Sequence, residues 1–324
     1  VITTSVIRSA HRGESHGGVY VVDLEDGSHF QVLDWNEDSI DWEGRGGDRG
    51  LRGIAFYKGR IYLAASDEIF VYNQDFYPIR SYRNRYLKQC HEIFICDDTL
   101  YITSTKFDAV VLFDLRSESF VKGYCLRYGK LADAMVRVGR KYASSFGGSL
   151  LRAALPTLTV FDPDSDTGPV LADTTHINNV TYADDTIYVS GVRLGALLGI
   201  RQDRLFVYAR TPHRTHNAQP FRDGVLLNHT ASNQIAYLNR RGRVLQSFAI
   251  KLYDEEELLR SDLPQDHARQ GFARGLCLTD DLIIGGASPA TISVYRFGQS
   301  AAIKTVNISK DVRNAIHGLE IWTL

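Results

Sequence analysis

The feature that most constrains this chain is a repeat. Six segments share one grammar, a basic residue, a short apolar run, a polar turn and a second run: "RGIAFYKGRIYLAAS" from Arg52, "HEIFICDDTLYITST" from His91, "HINNVTYADDTIYVSGV" from His176, "HNAQPFRDGVLLNHT" from His216, "RGLCLTDDLIIGGAS" from Arg274, and "HGLEIWTL" from His317. The pairs Lys58-Gly59, Asp97-Asp98, Asp184-Asp185, Asp223-Gly224 and Asp280-Asp281 supply hairpin turns between the runs. Third and fourth strand candidates follow, as in "AVVLFDL" with "SFVKGYCL" and "TISVYRF" with "AAIKTVNI".

Four antiparallel strands recurring about every 40 residues are the pattern of a β-propeller blade. The sixth unit ends after its first strand, and "TTSVIRS", "GGVYVVDL" and "HFQVLDW" near the start can complete it. Sharing one blade between the two ends closes the ring and leaves no open seam. The expectation is an all-β fold, a six-bladed β-propeller in a single domain over residues 1–324, closed by N- and C-terminal strands in the last blade. Two intervals exceed a blade connection, at about 127–172 and 252–271, and each reads as a helix-like stretch plus a loop that either decorates the surface or covers a site.

In a propeller the first strand of each blade lines the central channel, so a residue type that recurs at its start forms a ring. Arg52, His91, His216 and Arg274 each stand nine residues before the second-strand residues Ile61, Leu100, Val225 and Ile283. In the third unit that register falls on Asn178, with His176 two residues earlier and, by strand alternation, one layer nearer the mouth. The expected ring is Arg52, His91, Asn178, His216, Arg274 and His317. Alternation places Glu92 and Glu320 on the opposite face from their own histidines.

Four converging imidazoles suit a divalent transition metal such as Fe, Mn, Zn, Cu or Ni. On that reading His91, His176, His216 and His317 are the metal ligands, and Arg52, Arg274 and Asn178 are the catalytic groups around the ion. Arg49, from the Gly-rich stretch "DWEGRGGDRGLRG", joins Arg52 and Arg274 in holding an anionic or carbohydrate-like substrate for lyase, hydrolase or oxygenase chemistry. The same ring without metal is a basic, hydrogen-bonding cup in which a histidine serves as acid or base. A non-catalytic propeller that displays one face to a ligand or a partner is the alternative.

Composition narrows the partners. Net charge is −1 with a pI near 6.9, which gives no electrostatic reason to expect nucleic acid. The cations are 28 Arg against 9 Lys, and Arg is the residue whose planar fork reads carboxylate or phosphate. No run approaches the ~18 apolar residues that span a bilayer, and the first residues lack the pattern of a signal peptide. A cytoplasmic protein is expected. The four cysteines, Cys90, Cys96, Cys125 and Cys277, form no C-x-x-C pair and read as free thiols in apolar runs.

The stretches "CHEIFICDDTLYITS", "HINNVTYADDTIYVSG", "HNAQPFRDGVLLNHTASNQIAYLNRRG" and "FARGLCLTDDLIIGGAS" resemble a bacterial propeller family known as a domain of unknown function, sometimes found beside tetratricopeptide repeats. They cover most of residues 50–297. The resemblance implies the fold and a role for the ring, and no reaction. Looser similarity runs to carotenoid-cleaving oxygenases and oligogalacturonate lyases, whose propellers carry histidine clusters with a metal, although six blades differ from their seven.

Overall fold

The computed structural model describes residues 1–8, 13–36, 50–129, 155–264 and 268–322. In chain order β1 (Ile2–Ile7), β2 (Gly17–Val22) and β3 (His29–Asp34) come first and belong to the last blade. Blade 1 holds β4 (Leu51–Tyr57), β5 (Arg60–Ala65), β6 (Glu68–Tyr72) and β7 (Pro78–Arg83). Blade 2 holds β8 (Cys90–Cys96), β9 (Thr99–Ser104), β10 (Ala109–Asp114), β11 (Ser119–Arg127) and a fifth strand, β12 (Thr157–Phe161). Blade 3 is β13 (Ile177–Ala183), β14 (Thr186–Gly191), β15 (Ala196–Arg201) and β16 (Arg204–Arg210), and blade 4 is β17 (Thr215–Phe221), β18 (Gly224–His229), β19 (Gln234–Asn239) and β20 (Val244–Ala249). Blade 5 is β21 (Gly271–Leu278), β22 (Leu282–Ser288), β23 (Thr291–Arg296) and β24 (Lys304–Asn307). Blade 6 takes β25 (Asn314–Glu320) as its inner strand, followed by β1, β2 and β3.

The inner strands β4, β8, β13, β17, β21 and β25 neighbour one another in that cyclic order, with β25 returning to β4. This is the expected six-bladed propeller. The closing seam is tied from both ends of the chain: Thr3 Oγ1 donates to Gly318 O at 2.7 Å, Gly318 N donates to Thr4 Oγ1 at 2.8 Å, and Thr4 Oγ1 donates to Arg52 O.

Period-2 alternation builds the core. Along β5, Ile61, Leu63 and Ala65 face blade 6, while Tyr62 and Ala64 face blade 2. The same split gives an apolar cluster at each of the six blade interfaces. A fully buried side chain such as Leu63 or Ile102 contributes roughly 1.5–3 kcal/mol, so the blades are held mainly by their neighbours.

The two long intervals differ in use. Of 127–172, residues 130–154 lie outside the described residues, and with them the helix-like stretch read from the sequence. The remainder adds β12 to blade 2 and then crosses back, with Ala172 N donating to Lys106 O at 2.9 Å. In 252–271 the acidic run forms one 3-10 turn, Glu255–Glu257, closed by a capping box on Asp254, in place of the expected short helix. Lys310 Nζ reaches Glu257 at 3.0 Å and Tyr253 Oη meets Thr291 Oγ1 at 3.1 Å, which docks the segment onto blade 5.

Candidate functional site

Each inner strand carries a β-bulge at or beside its ring residue. Pairing with the second strand shifts between Leu51 and Ile54, Cys90 and Ile93, Ile177 and Asn179, His216 and Gln219, and Arg274 and Leu276, and β25 shifts opposite Thr4. A bulge re-aims side chains and breaks simple alternation. The described ring residues are accordingly brought to the axis and buried: Arg52, His91, Asn178, His216 and His317 are all less than a tenth exposed, and Arg274 is partly exposed. Arg49 lies outside the described residues.

The ring has a two-blade period. Arg52 Nη1 lies 3.2 and 3.3 Å from the two ring nitrogens of His91 on the next blade. Arg274 Nη1 repeats this against His317, at 3.4 and 3.1 Å. In the remaining sector Asn178 takes the arginine position, and its Nδ2 donates to Thr215 O, beside His216, at 3.1 Å. The ring therefore reads Arg–His, Asn–His, Arg–His.

Threonines fix the imidazoles. Thr105 Oγ1 spends its single proton on Ile177 O (2.6 Å), so at 2.7 Å from His91 Nδ1 it accepts, and that nitrogen carries the proton. Thr230 Oγ1 donates to Ala273 O (3.3 Å) and accepts from His216 Nδ1 at 2.8 Å. Both histidines therefore turn an unprotonated Nε2 the other way. At His91 it faces Arg52; at His216 it is buried with no partner. Burial first, and then the nearby guanidiniums, hold His91, His216 and His317 well below the usual imidazole range, so they are neutral at pH 7.

His176 reaches the site by another route than the one alternation implies. It precedes β13 in a left-handed conformation (φ 51°), at the end of a turn held by the buried Asp108. The Asp108 carboxylate accepts from the amides and hydroxyls of Thr174 and Thr175 at 2.7–2.9 Å. The His176 ring stands 5.7 Å from that of His91 and pairs through Nδ1 with Asp173 at 2.8 Å, while the His91 and His317 rings are 6.4 Å apart.

Several groups escaped the sequence reading. Arg8, Arg274 and Arg269 surround the Phe272 ring, at 4.2, 4.7 and 5.0 Å from its centroid. Burial, then the charges of Arg52 and Arg269, push the Arg8 guanidinium down to about 10, and its Nη2 has no partner among the described residues. No spacing points to Arg8, because a single arginine beyond the second strand of one blade has no counterpart in the others. Thr105 and Thr230 did carry a signal: each lies fourteen residues after its histidine.

Glu92 also belongs to the channel. Its carboxyl accepts a hydrogen bond from the Asn217 side chain of blade 4 and feels Arg274 and Arg52, so it touches groups from across the ring. Burial raises it to about 7, and burial together with Glu92 raises Glu320 to about 8. The His91-Glu92 bulge turns both side chains inward, which alternation did not anticipate.

The residues present do not fit a resident divalent ion as they are arranged. An ion about 2.1 Å from the Nε2 atoms of His91 and His317 would share the space of two permanently charged guanidiniums. Among the described residues no three His, Cys, Asp or Glu side chains are grouped to hold a metal. All four cysteines are free thiols. Two open hollows, of about 410 and 450 Å³, lie elsewhere, one between blades 3 and 4 beside Tyr188, Phe206 and Phe221, the other along β11 and β12 of blade 2, and neither is lined by a ring residue. The axial cup remains the candidate site because its polar groups converge there and are left unsatisfied, whereas the hollows are open to solvent.

No family model and no curated protein matches this chain. Among solved structures it is similar to a nidogen/laminin complex, with a TM-score of 0.52, 9% identity, and coverage of 98% of this chain and 97% of that one. A computationally designed protein, Ika8, aligns with a TM-score of 0.45 and 10% identity over 85% of this chain and 92% of that chain. A catalytically inactive virginiamycin B lyase from Staphylococcus aureus with quinupristin aligns at 0.39 and 11% over 78% of this chain and 72% of that one. At 9% identity the likeness to the nidogen/laminin structure shows a shared fold and nothing of function. No helix is long and apolar enough to cross a membrane among the described residues.

Proposed function

We propose that the axial cup binds a small oxyanion-bearing molecule and moves a proton on it through His216. The observation that carries this reading is the convergence of Arg8, Arg52 and Arg274 with three neutral imidazoles on one axis, where Arg8 Nη2 and His216 Nε2 are buried without partners. Guanidiniums crowded together in a low-dielectric site favour an anion between them. A neutral imidazole with a fixed Nδ1–H and an open Nε2 lone pair is a competent general base.

The step this arrangement supports is removal of a proton from the carbon next to a carboxylate. The C–H pair passes into the carboxylate system as an enolate, the proton goes to His216 Nε2, and Arg274 with Arg8 takes up the negative charge that develops. Elimination, isomerisation and racemisation all begin in this way.

The test is hydrogen exchange at carbon. The protein is incubated with a panel of small carboxylates in D2O, and loss of the α-proton signal is followed by NMR. Exchange with at least one carboxylate is expected, falling at least about 100-fold in His216→Gln and Arg274→Gln. Absence of exchange throughout, or exchange unchanged in His216→Gln, defeats the proton-transfer role.

A further inference from the structure

The broken symmetry of the ring says more about the ligand than its charge does, on the basis of the oxyanion reading above. Two sectors present guanidinium donors. The third presents acceptors: Asn178 Oδ1 and His216 Nε2 are both buried and, among the described residues, both lack a hydrogen-bond donor. Neither assignment is free to change. Asn178 is oriented by the bond from its Nδ2 to Thr215 O, and His216 by the proton that its Nδ1 gives to Thr230 Oγ1. Asn178 is 2% and His216 6% exposed, so bulk water does not satisfy them.

Buried acceptors without donors are costly, and a ligand that supplies the donors removes the cost. Ionised carboxylates and sulfate carry only acceptors, so such an oxyanion alone matches the two arginine sectors and leaves the third unmatched. We infer that the ligand is a hydroxy carboxylate, with its carboxylate held by Arg52 and Arg274 and hydroxyl protons donated to Asn178 Oδ1 and His216 Nε2. Glycerate is the smallest molecule with this pattern, and sugar acids extend it. The Nε2 lone pair that accepts the hydroxyl is also the base, so the hydroxyl holds the ligand in the resting complex and turns off His216 before the proton on the adjacent carbon moves. Asn178 is thereby a specificity-determining residue that selects for the hydroxyl and need not take part in proton transfer.

Calorimetric titration with glycerate and gluconate, against propanoate and hexanoate as deoxy partners and sulfate as a bare oxyanion, tests this. Glycerate or gluconate is expected to bind at least about 100-fold more tightly than its deoxy partner, because a site built to bond a hydroxyl rejects the analogue without one. Asn178→Leu, checked for folding by its thermal melt, is expected to weaken gluconate at least about tenfold while hexanoate and sulfate affinities are kept. If hexanoate and sulfate bind as well as gluconate does, the anion cup stands and the hydroxy-acid inference falls. If neither sulfate nor any carboxylate binds, the oxyanion reading itself falls. Should Asn178→Leu fail to fold, His216→Phe supplies the same comparison from the other acceptor.

Discussion

Blades 1–2 and 5–6 differ from blades 3–4 in a way that separates structural need from function. In the first two sectors an arginine lies against the histidine of the next blade, and a glycine follows it: Arg52-Gly53 beside His91, and Arg274-Gly275 beside His317. In the third, Asn178-Asn179 stands beside His216, and the inter-blade contact is a hydrogen bond from Asn179 Nδ2 to Ala218 O at 2.9 Å. The two arginine sectors are packed backbone to backbone with their imidazole nitrogens engaged. The asparagine sector is bridged by side chains and leaves two acceptors unmet. A ring needing only mechanical closure would have no reason to leave one sector unsatisfied, and this exception is what supports the proposed ligand-binding role of that side of the channel.

The largest expected effects come from the glycine contacts of the packed sectors. A Cβ on Gly53 would lie 2.5 Å from Ile93 N and 2.6 Å from His91 O, and one on Gly275 would lie 2.7 Å from His317 O. Backbone cannot yield there without opening the ring. Gly53→Ala and Gly275→Ala are each expected to lose at least about 4 kcal/mol in urea denaturation. Asn179→Ala, which removes one hydrogen bond in the open sector, is expected to lose about 1–2 kcal/mol. Equal losses in the two sectors would erase the distinction between them.

Acid comes next, and its sign follows from the depressed histidines. Their folded-state values lie below the ordinary 6.5, so the unfolded chain binds more protons as pH drops through 6.5, and stability present above that value is lost below it. The slope is about 1.4 kcal/mol per pH unit for each histidine. His91 and His317 have a guanidinium within 3.4 Å of both ring nitrogens, and His216 does not. His216 is therefore expected to protonate first, as read from its imidazole NMR signals during titration. If it titrates after the other two, the open sector is no more permissive than the packed ones.

A smaller change of opposite sign comes from the channel carboxyls. Glu92 and Glu320 are raised from 4.5 to about 7 and 8, so the folded chain holds protons that the unfolded chain has released. Their contribution is fully present below pH 4.5 and is lost as pH rises to about 8. Thermal melts are expected to show stability declining from pH 6.5 to 8, and Glu92→Gln should flatten that decline. A decline of the same steepness in Glu92→Gln would take this carboxyl out of the channel.

How much of this was legible in the sequence depends on the range of the interaction. The repeat exposes the six blades, the shared last blade and the ring register, because strand period and turn chemistry are local and six copies reinforce one another. His91, His216 and His317 stand buried on inner strands at the register read from the repeat. The local signal fails wherever a bulge or a loop intervenes. Glu92 was assigned to the wrong face because one shifted residue resets alternation, and His176 reaches the axis through a turn built on Asp108, a residue from another blade with no mark in the motif. Pairing of arginine with histidine across blades was equally hidden, since it depends on neighbours some forty residues apart. A set of imidazoles read alone looks like a ligand shell; the guanidiniums between them are what support the anion-binding reading proposed above.

The smallest expected effect is that of a chelator, and it tests the same contrast. Four histidines near one axis would lose much of their stability on metal removal if they shared an ion, because binding free energy is then folding free energy. In this ring the nitrogens of His91 and His317 lie against Arg52 and Arg274, His176 is paired through Nδ1 with Asp173, and His216 Nε2 is buried without a partner among the described residues. Imidazoles engaged in this way do not make the three- or four-ligand shell that an ion needs. Protein purified without a nickel column is therefore expected to hold less than about 0.2 equivalents of any transition metal, and to melt within about 1 °C of its untreated temperature after dialysis against a chelator. A stoichiometric metal with a marked fall in melting temperature would mean that both arginines swing off their histidines when an ion is bound. The packed and open sectors would then be two states of one site, and Arg52 and Arg274 would be gates in place of anchors.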